Sequence, residues 1–153
     1  MSVLAIDPGT TKSGWLVFDE GRVLACGVND NPDVLEAVRY TSASIVAIEM
    51  IASYGMAVGS SVFETVRWIG RFQQASPDPE RVMLVYRQDI KLFLCKSLQA
   101  NDANVRQALI DRVGTPGTKA KPGATYGVYT HAWAALGVAV TAVQFQAGDR
   151  KGC

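Results

Sequence analysis

Two acidic residues stand where carboxylates can do chemistry. Asp7 follows the apolar run Val3-Leu4-Ala5-Ile6 and opens the segment Asp7-Pro8-Gly9-Thr10-Thr11-Lys12-Ser13-Gly14. Glu49 follows a second such run, Ile45-Val46-Ala47-Ile48. A short apolar run bounded by turn signals reads as a buried strand, so each strand delivers an acid at its carboxyl end. Two such strands in a mixed sheet can set Asp7 and Glu49 side by side. Adjacent carboxylates repel unless a cation neutralises them. Hard cations such as Mg²⁺ take oxygen donors and keep several waters, so the pair predicts a divalent-metal site. The glycines after Asp7 would let a phosphate-bearing ligand approach the backbone closely.

The elements that must position these acids are legible in outline. Gly14 to Asp19 reads as a second strand, Glu20-Gly21 as a tight turn and Arg22 to Val28 as a third strand, making an antiparallel meander. Asn31 reads as an N-cap with Pro32 at the first helical position, for a helix running to about Tyr40. Residues 50–60 are irregular. Ser61 to Ala75 carries helical periodicity through Val62, Val66, Ile69 and Phe72. Val82 to Tyr86 reads as a strand, with helices over Asp89 to Leu98 and Asp102 to Val113, the latter stopped by Gly114. Residues 114–129 read as a flexible basic loop, after which Thr130 caps a helix from His131 to about Val143. A meander followed by alternating helix and strand predicts an α/β domain with a mixed sheet flanked by helices.

Composition sets the outer limits. At 153 residues, with 48% hydrophobic and 19% charged, the chain is ordinary globular material of one domain, not disordered or fibrous. No apolar run approaches the ~18–20 residues that span a bilayer, and the N-terminus lacks a basic leader, so secretion is not expected. The three cysteines, Cys26, Cys95 and Cys153, read as reduced thiols of a cytoplasmic protein. The net charge of +1 conceals an asymmetry. Residues 1–66 hold three basic and eight acidic residues, whereas residues 67–121 hold ten basic and five acidic. An acidic half joined to a basic half suits an acidic centre beside a phosphate-binding face.

At this point the sequence resembles a family. Ile6-Asp7-Pro8-Gly9 with Gly14-Trp15, Ala47-Ile48-Glu49 followed by a helix carrying Gly70-Arg71, the helix around Val105, and the apolar C-terminal stretch Ala135-Leu136-Gly137-Val138-Ala139 are similar to the RuvC-type Holliday-junction resolvases, above all the small phage-encoded members. The resemblance covers almost the whole chain. It implies an RNase H-like fold with a five-stranded mixed sheet and helices on both sides. It also implies metal-dependent cleavage of four-way DNA junctions by a homodimer in a bacterial or phage-infected cell. Asp7 and Glu49 match the first two metal-binding acids. The C-terminal helix of the family usually begins with Asp or His and carries an Asp three residues later; here His131 matches the first position, but the second is Ala134. Asp102, where the family often has Lys, offers a replacement carboxylate. The implied catalytic set is Asp7, Glu49, His131 and Asp102, with Asp7, Glu49 and His131 holding two Mg²⁺ ions, for which Mn²⁺ is an expected substitute.

Candidates for DNA phosphates are Lys12, Arg67, Arg71, Arg87, Lys91, Lys96, Arg106, Lys119 and Lys121. Tyr54 and Met56, in the irregular stretch after Glu49, match the segment that enters the junction centre in resolvases and would act as apolar wedges. Three other readings compete. Ala134 favours a module that binds junctions without cutting them. A related nuclease could act on RNA–DNA hybrids or on branched DNA more broadly. The Asp-Pro-Gly-Thr-Thr segment also resembles the phosphate loop of actin-like ATPases and sugar kinases, but those close two lobes around a nucleotide and need far more chain, so no nucleotide cofactor is expected.

Overall fold

The computed structural model describes residues 1–151, with side chains described through residue 148. Cys153 therefore lies outside the described residues, while Cys26 and Cys95 are free thiols. Five strands form one sheet: β1 (Ser2–Asp7), β2 (Lys12–Asp19), β3 (Arg22–Asp30), β4 (Ile45–Met50) and β5 (Met83–Tyr86). Their order is β3-β2-β1-β4-β5. β1 pairs antiparallel with β2 and parallel with β4; β2–β3 is antiparallel and β4–β5 parallel. This is the mixed sheet that the meander-then-crossover pattern predicts.

β1 lies at the centre and is buried on both faces. A strand covered on both sides reads as a continuous apolar run rather than an alternating one, which is why Val3-Leu4-Ala5-Ile6 carries no polar residue. Leu4 and Ile6, with Val46 and Ile48 of β4, pack on α1 (Asn31–Arg39) and α2 (Ser60–Ala75) through Val34, Val38, Ile69 and Phe72. Val3, Ala5 and Ala47 face the other layer, α3 (Arg87–Cys95), α4 (Asp102–Val113) and α5 (His131–Lys151). α5 is buried at nearly every position from Ala132 to Ala142; its alanines keep it slim against its neighbours, and Gly137 leaves room for Ile90 of α3 and Leu109 of α4. Among the described residues, no helix is long and apolar enough to cross a membrane.

Four local readings change. α3 begins at Arg87, two residues before its expected start, and ends at Cys95 with Lys96 in the left-handed conformation at φ 58°. α5 runs on to Lys151, past the expected Val143, because no proline follows and Gly148 weakens the helix without stopping it. Residues 114–130 are not an unstructured loop. Thr125 is buried and donates its hydroxyl to the Gly114 carbonyl at 2.8 Å, while Gly123 N donates to Pro116 O at 2.8 Å. A Cβ on Gly123 would lie 2.0 Å from the Thr115 carbonyl oxygen, so the loop closes only around glycine.

The fourth change concerns Asn31. It is the first residue of α1, not its cap, and is fully buried. Its Oδ1 accepts from Ser13 Oγ at 2.6 Å and its Nδ2 donates to the Gly9 carbonyl at 2.9 Å. Ser13 Oγ in turn accepts from Gly9 N at 3.2 Å. These bonds clamp the turn that leaves Asp7. Asn31→Leu is expected to destabilise the protein by about 1–3 kcal/mol in urea unfolding, because it strands a buried hydroxyl and a carbonyl. An unchanged midpoint would show that the turn holds itself.

Candidate active site

The topology brings the two acids together. In the β1–β4 register Ile6 faces Ile48, so Asp7 and Glu49 leave neighbouring parallel strands at the same end of the sheet. β2 contributes Gly14 opposite Asp7. The N-terminus of α5 then lands on β2 and sets His131 Nδ1 at 3.0 Å from Asp7 Oδ2. That landing requires Gly14: a Cβ there would lie 2.5 Å from the His131 carbonyl oxygen and 2.8 Å from its Cβ. Thr130, just before His131, is held at φ 41°, a conformation that a β-branched residue adopts only when its surroundings impose it.

Asp7 lines a cleft of about 540 Å³ with Arg87, Asp102, Arg106, His131, Trp133 and Ala134. Ala134 thus takes its place on the wall with no group to offer a ligand. On the other side of Asp7 and His131, Pro8 to Lys12 form a second recess. Arg87 joins two acids, with Nη1 3.7 Å from Glu49 Oε1 and Nη2 bonded to Asp102 Oδ1. Asp102 itself is 87% exposed, against 12% for Glu49.

Burial pushes the Glu49 carboxyl up to about 7, helped by the negative charge of Asp7 and opposed by Arg87. Burial also raises Asp7, against the pull of His131 and Arg87. Glu49 Oε2 is buried without a hydrogen-bond partner. An orphaned carboxylate oxygen beside a second carboxylate fits a hard divalent cation that completes its shell with water and substrate oxygens. Among the described residues, no three of His, Cys, Asp and Glu converge as a complete ligand set. The donor set thus consists of Asp7 and Glu49, with His131 in contact with Asp7.

These shifts predict how stability depends on pH without a cation. Between the ordinary Glu value of 4.5 and about 7, the folded state keeps a proton that the unfolded chain releases. Stability therefore falls as pH rises through that window, by roughly 3 kcal/mol for the whole shift. Melting in a chelator should give a higher Tm at pH 5 than at pH 8, and Glu49→Gln should flatten the slope. A slope that survives in Glu49→Gln would assign it elsewhere.

The basic candidates divide by location. Lys12, Arg87 and Arg106 flank Asp7 in the two recesses, and Arg106 stacks on Trp133 at 4.6 Å. Arg67 and Arg71 lie on α2, where Arg67 pairs with Glu64 and Arg71 covers the Trp68 ring at 3.9 Å. Lys91 and Lys96 lie on and just after α3, and Lys119 and Lys121 in the exposed part of the 114–130 loop. Tyr54 and Met56 are 52% and 71% exposed beyond the end of β4. Gly14 and Asn31 are read from sequence as a strand start and a helix cap, and their parts in seating His131 and clamping the turn after Asp7 come only from the fold. A glycine inside an apolar strand is itself the signal of close backbone approach, but it does not say what approaches.

No family model and no curated protein matches the chain. Solved structures do. Thermus thermophilus RuvC matches with a TM-score of 0.71 and 21% identity, over 97% of this chain and 97% of that one. T. thermophilus RuvC in complex with a Holliday junction substrate matches with a TM-score of 0.71 and 20% identity, over 95% of this chain and 94% of that one. The chain therefore has the RuvC-like, RNase H-like fold.

Proposed function

We propose that this protein is a metal-dependent endonuclease that cuts four-way or otherwise branched DNA as a homodimer. The observation that carries the reading is the buried pair of Asp7 and Glu49, with its orphaned Oε2, at the open end of a RuvC-like sheet. Asp7 and Glu49 would hold Mg²⁺ or Mn²⁺, with His131 beside them. When bound, the cation supplies an acidified water and stabilises the leaving oxygen of a phosphodiester. Asp7 and Glu49 are preorganised by strands rather than loops, which fixes their aim without reordering at each turnover. His131 spends Nδ1 on Asp7, which orients the ring and leaves its second nitrogen to coordinate or to carry a proton. Arg106 and Lys12 flank the acids and would hold the DNA backbone, giving position rather than sequence readout. Tyr54 and Met56 project as apolar groups suited to unstacking bases at a branch. Two symmetric cuts on one junction call for two copies related by a twofold axis.

Ala134 supports a second reading, a module that binds branches and does not cut them, since the wall of the cleft lacks an acid there. A labelled four-way junction, with linear duplex, fork and RNA–DNA hybrid as controls, separates the two in Mg²⁺ and in Mn²⁺. Paired symmetric nicks confined to branched DNA are expected. Tight junction binding with no cut in either metal would replace the nuclease by the binding module, and preferential cutting of the hybrid would change the substrate class.

A further inference from the structure

Arg87 stands apart from the other basic candidates because two carboxylates from different elements, Glu49 and Asp102, share its guanidinium. It is the first residue of α3, immediately after β5. One side of its fork faces buried Glu49 Oε1 at 3.7 Å, and the other is bonded to exposed Asp102 Oδ1. Arg87 itself is 37% exposed, so it spans from the interior of the cleft to its rim. Its planar fork can serve two acceptors at once, and here the inner contact is the longer one. A cation held by Asp7 and Glu49 would meet a like charge at this point, and like charges this close repel strongly in a partly buried site.

We propose that Arg87 is a positioning residue shared by Glu49 and Asp102. Asp102 draws the guanidinium outward, and so keeps Glu49 available to a divalent cation. This rests on the metal-dependent reading and gives Asp102 a role through Arg87, not as a ligand that replaces the acid missing at Ala134. The two readings of Asp102 differ in sign and in coupling. If Asp102 restrains Arg87, removing its charge lets the guanidinium settle on Glu49 and weakens cation binding. Removing Arg87 then strengthens binding, and Asp102 loses its influence. If Asp102 is a ligand, its removal weakens binding whether or not Arg87 is present.

A double-mutant cycle on Mn²⁺ binding, read by calorimetry on the DNA-free protein, tests this. Asp102→Asn is expected to weaken binding by about tenfold, the low end for partners that orient metal ligands. Arg87→Gln should tighten it, and Asp102→Asn should have little further effect in the Arg87→Gln background. Arg87→Lys keeps the charge but loses the fork, so Asp102→Asn should act in the same direction there with a smaller effect. An equal loss on Asp102→Asn in both backgrounds would make Asp102 a ligand and overturn the inference. The same cycle on thermal unfolding in a chelator reads the shared guanidinium with no cation involved. It should be non-additive, and strict additivity there would also overturn the inference. If wild type binds no Mn²⁺ while the unfolding cycle is non-additive, the metal-dependent reading falls and the shared guanidinium stands.

Discussion

Asp7→Asn should abolish junction cleavage while making the cation-free protein more stable. The two effects have one cause. Asp7 and Glu49 are buried next to each other, and each is harder to ionise for that burial. Replacing Asp7 removes one member of a repelling pair, so the melting temperature in a chelator should rise above that of wild type near pH 8. The same change removes a charged oxygen from the cation site. Cleavage should fall by about a thousandfold, on the scale seen when a preorganised electrostatic group is deleted. Stability gained where function is lost is the mark of a strained functional centre. The check is melting and junction cleavage on the same preparations of wild type and Asp7→Asn. A variant that cuts at the wild-type rate would remove Asp7 from the chemistry, and with it the proposed mechanism.

Gly14→Ala should be a severely damaging single-methyl change, because it strikes the contact that seats His131. The added Cβ collides with the His131 carbonyl and side chain across a backbone contact that cannot yield by side-chain rotation. Overpacking of this kind costs about 1–3 kcal/mol, and the relief available is movement of the α5 N-terminus away from β2. That movement opens the 3.0 Å contact between His131 and Asp7. A displacement of about 1 Å in such a constellation can cost 100-fold in rate. Gly70→Ala is the control, because its Cβ would meet nothing within 4 Å in the exposed face of α2; it should leave cleavage unchanged and raise stability slightly. Gly14→Ala with normal melting and a normal rate would mean that His131 does not depend on this approach.

The parts of this architecture written in local sequence were the strands and their acids. Val3 to Ile6 and Ile45 to Ile48 announce buried strands by an unbroken apolar run, and Asp7 and Glu49 stand out because a charge ends each run. What remained hidden depends on contacts far apart in the chain. Asn31 has the look of a cap beside Pro32, yet its amide turns inward to Ser13 and Gly9, eighteen and twenty-two residues away. Arg87 reads as one basic residue among many until the fold sets it between Glu49 and Asp102. The glycines and prolines of residues 114–129 suggest looseness, whereas Gly123 and Thr125 use that composition to close the loop on itself. Composition speaks of what a backbone is permitted to do; partners decide what it does.

The link between Asp7 and His131 closes a span of 124 residues. Asp7 is on β1 and its histidine is on α5, with every other described element between them in the chain. Contacts so distant in sequence form late, after the intervening chain has paid its closure entropy. A ribosome-bound chain therefore exposes both carboxylates long before it owns the histidine and the helix that backs them. On the proposed reading, the site is complete only once α5 has docked on β2 and brought His131 to Asp7.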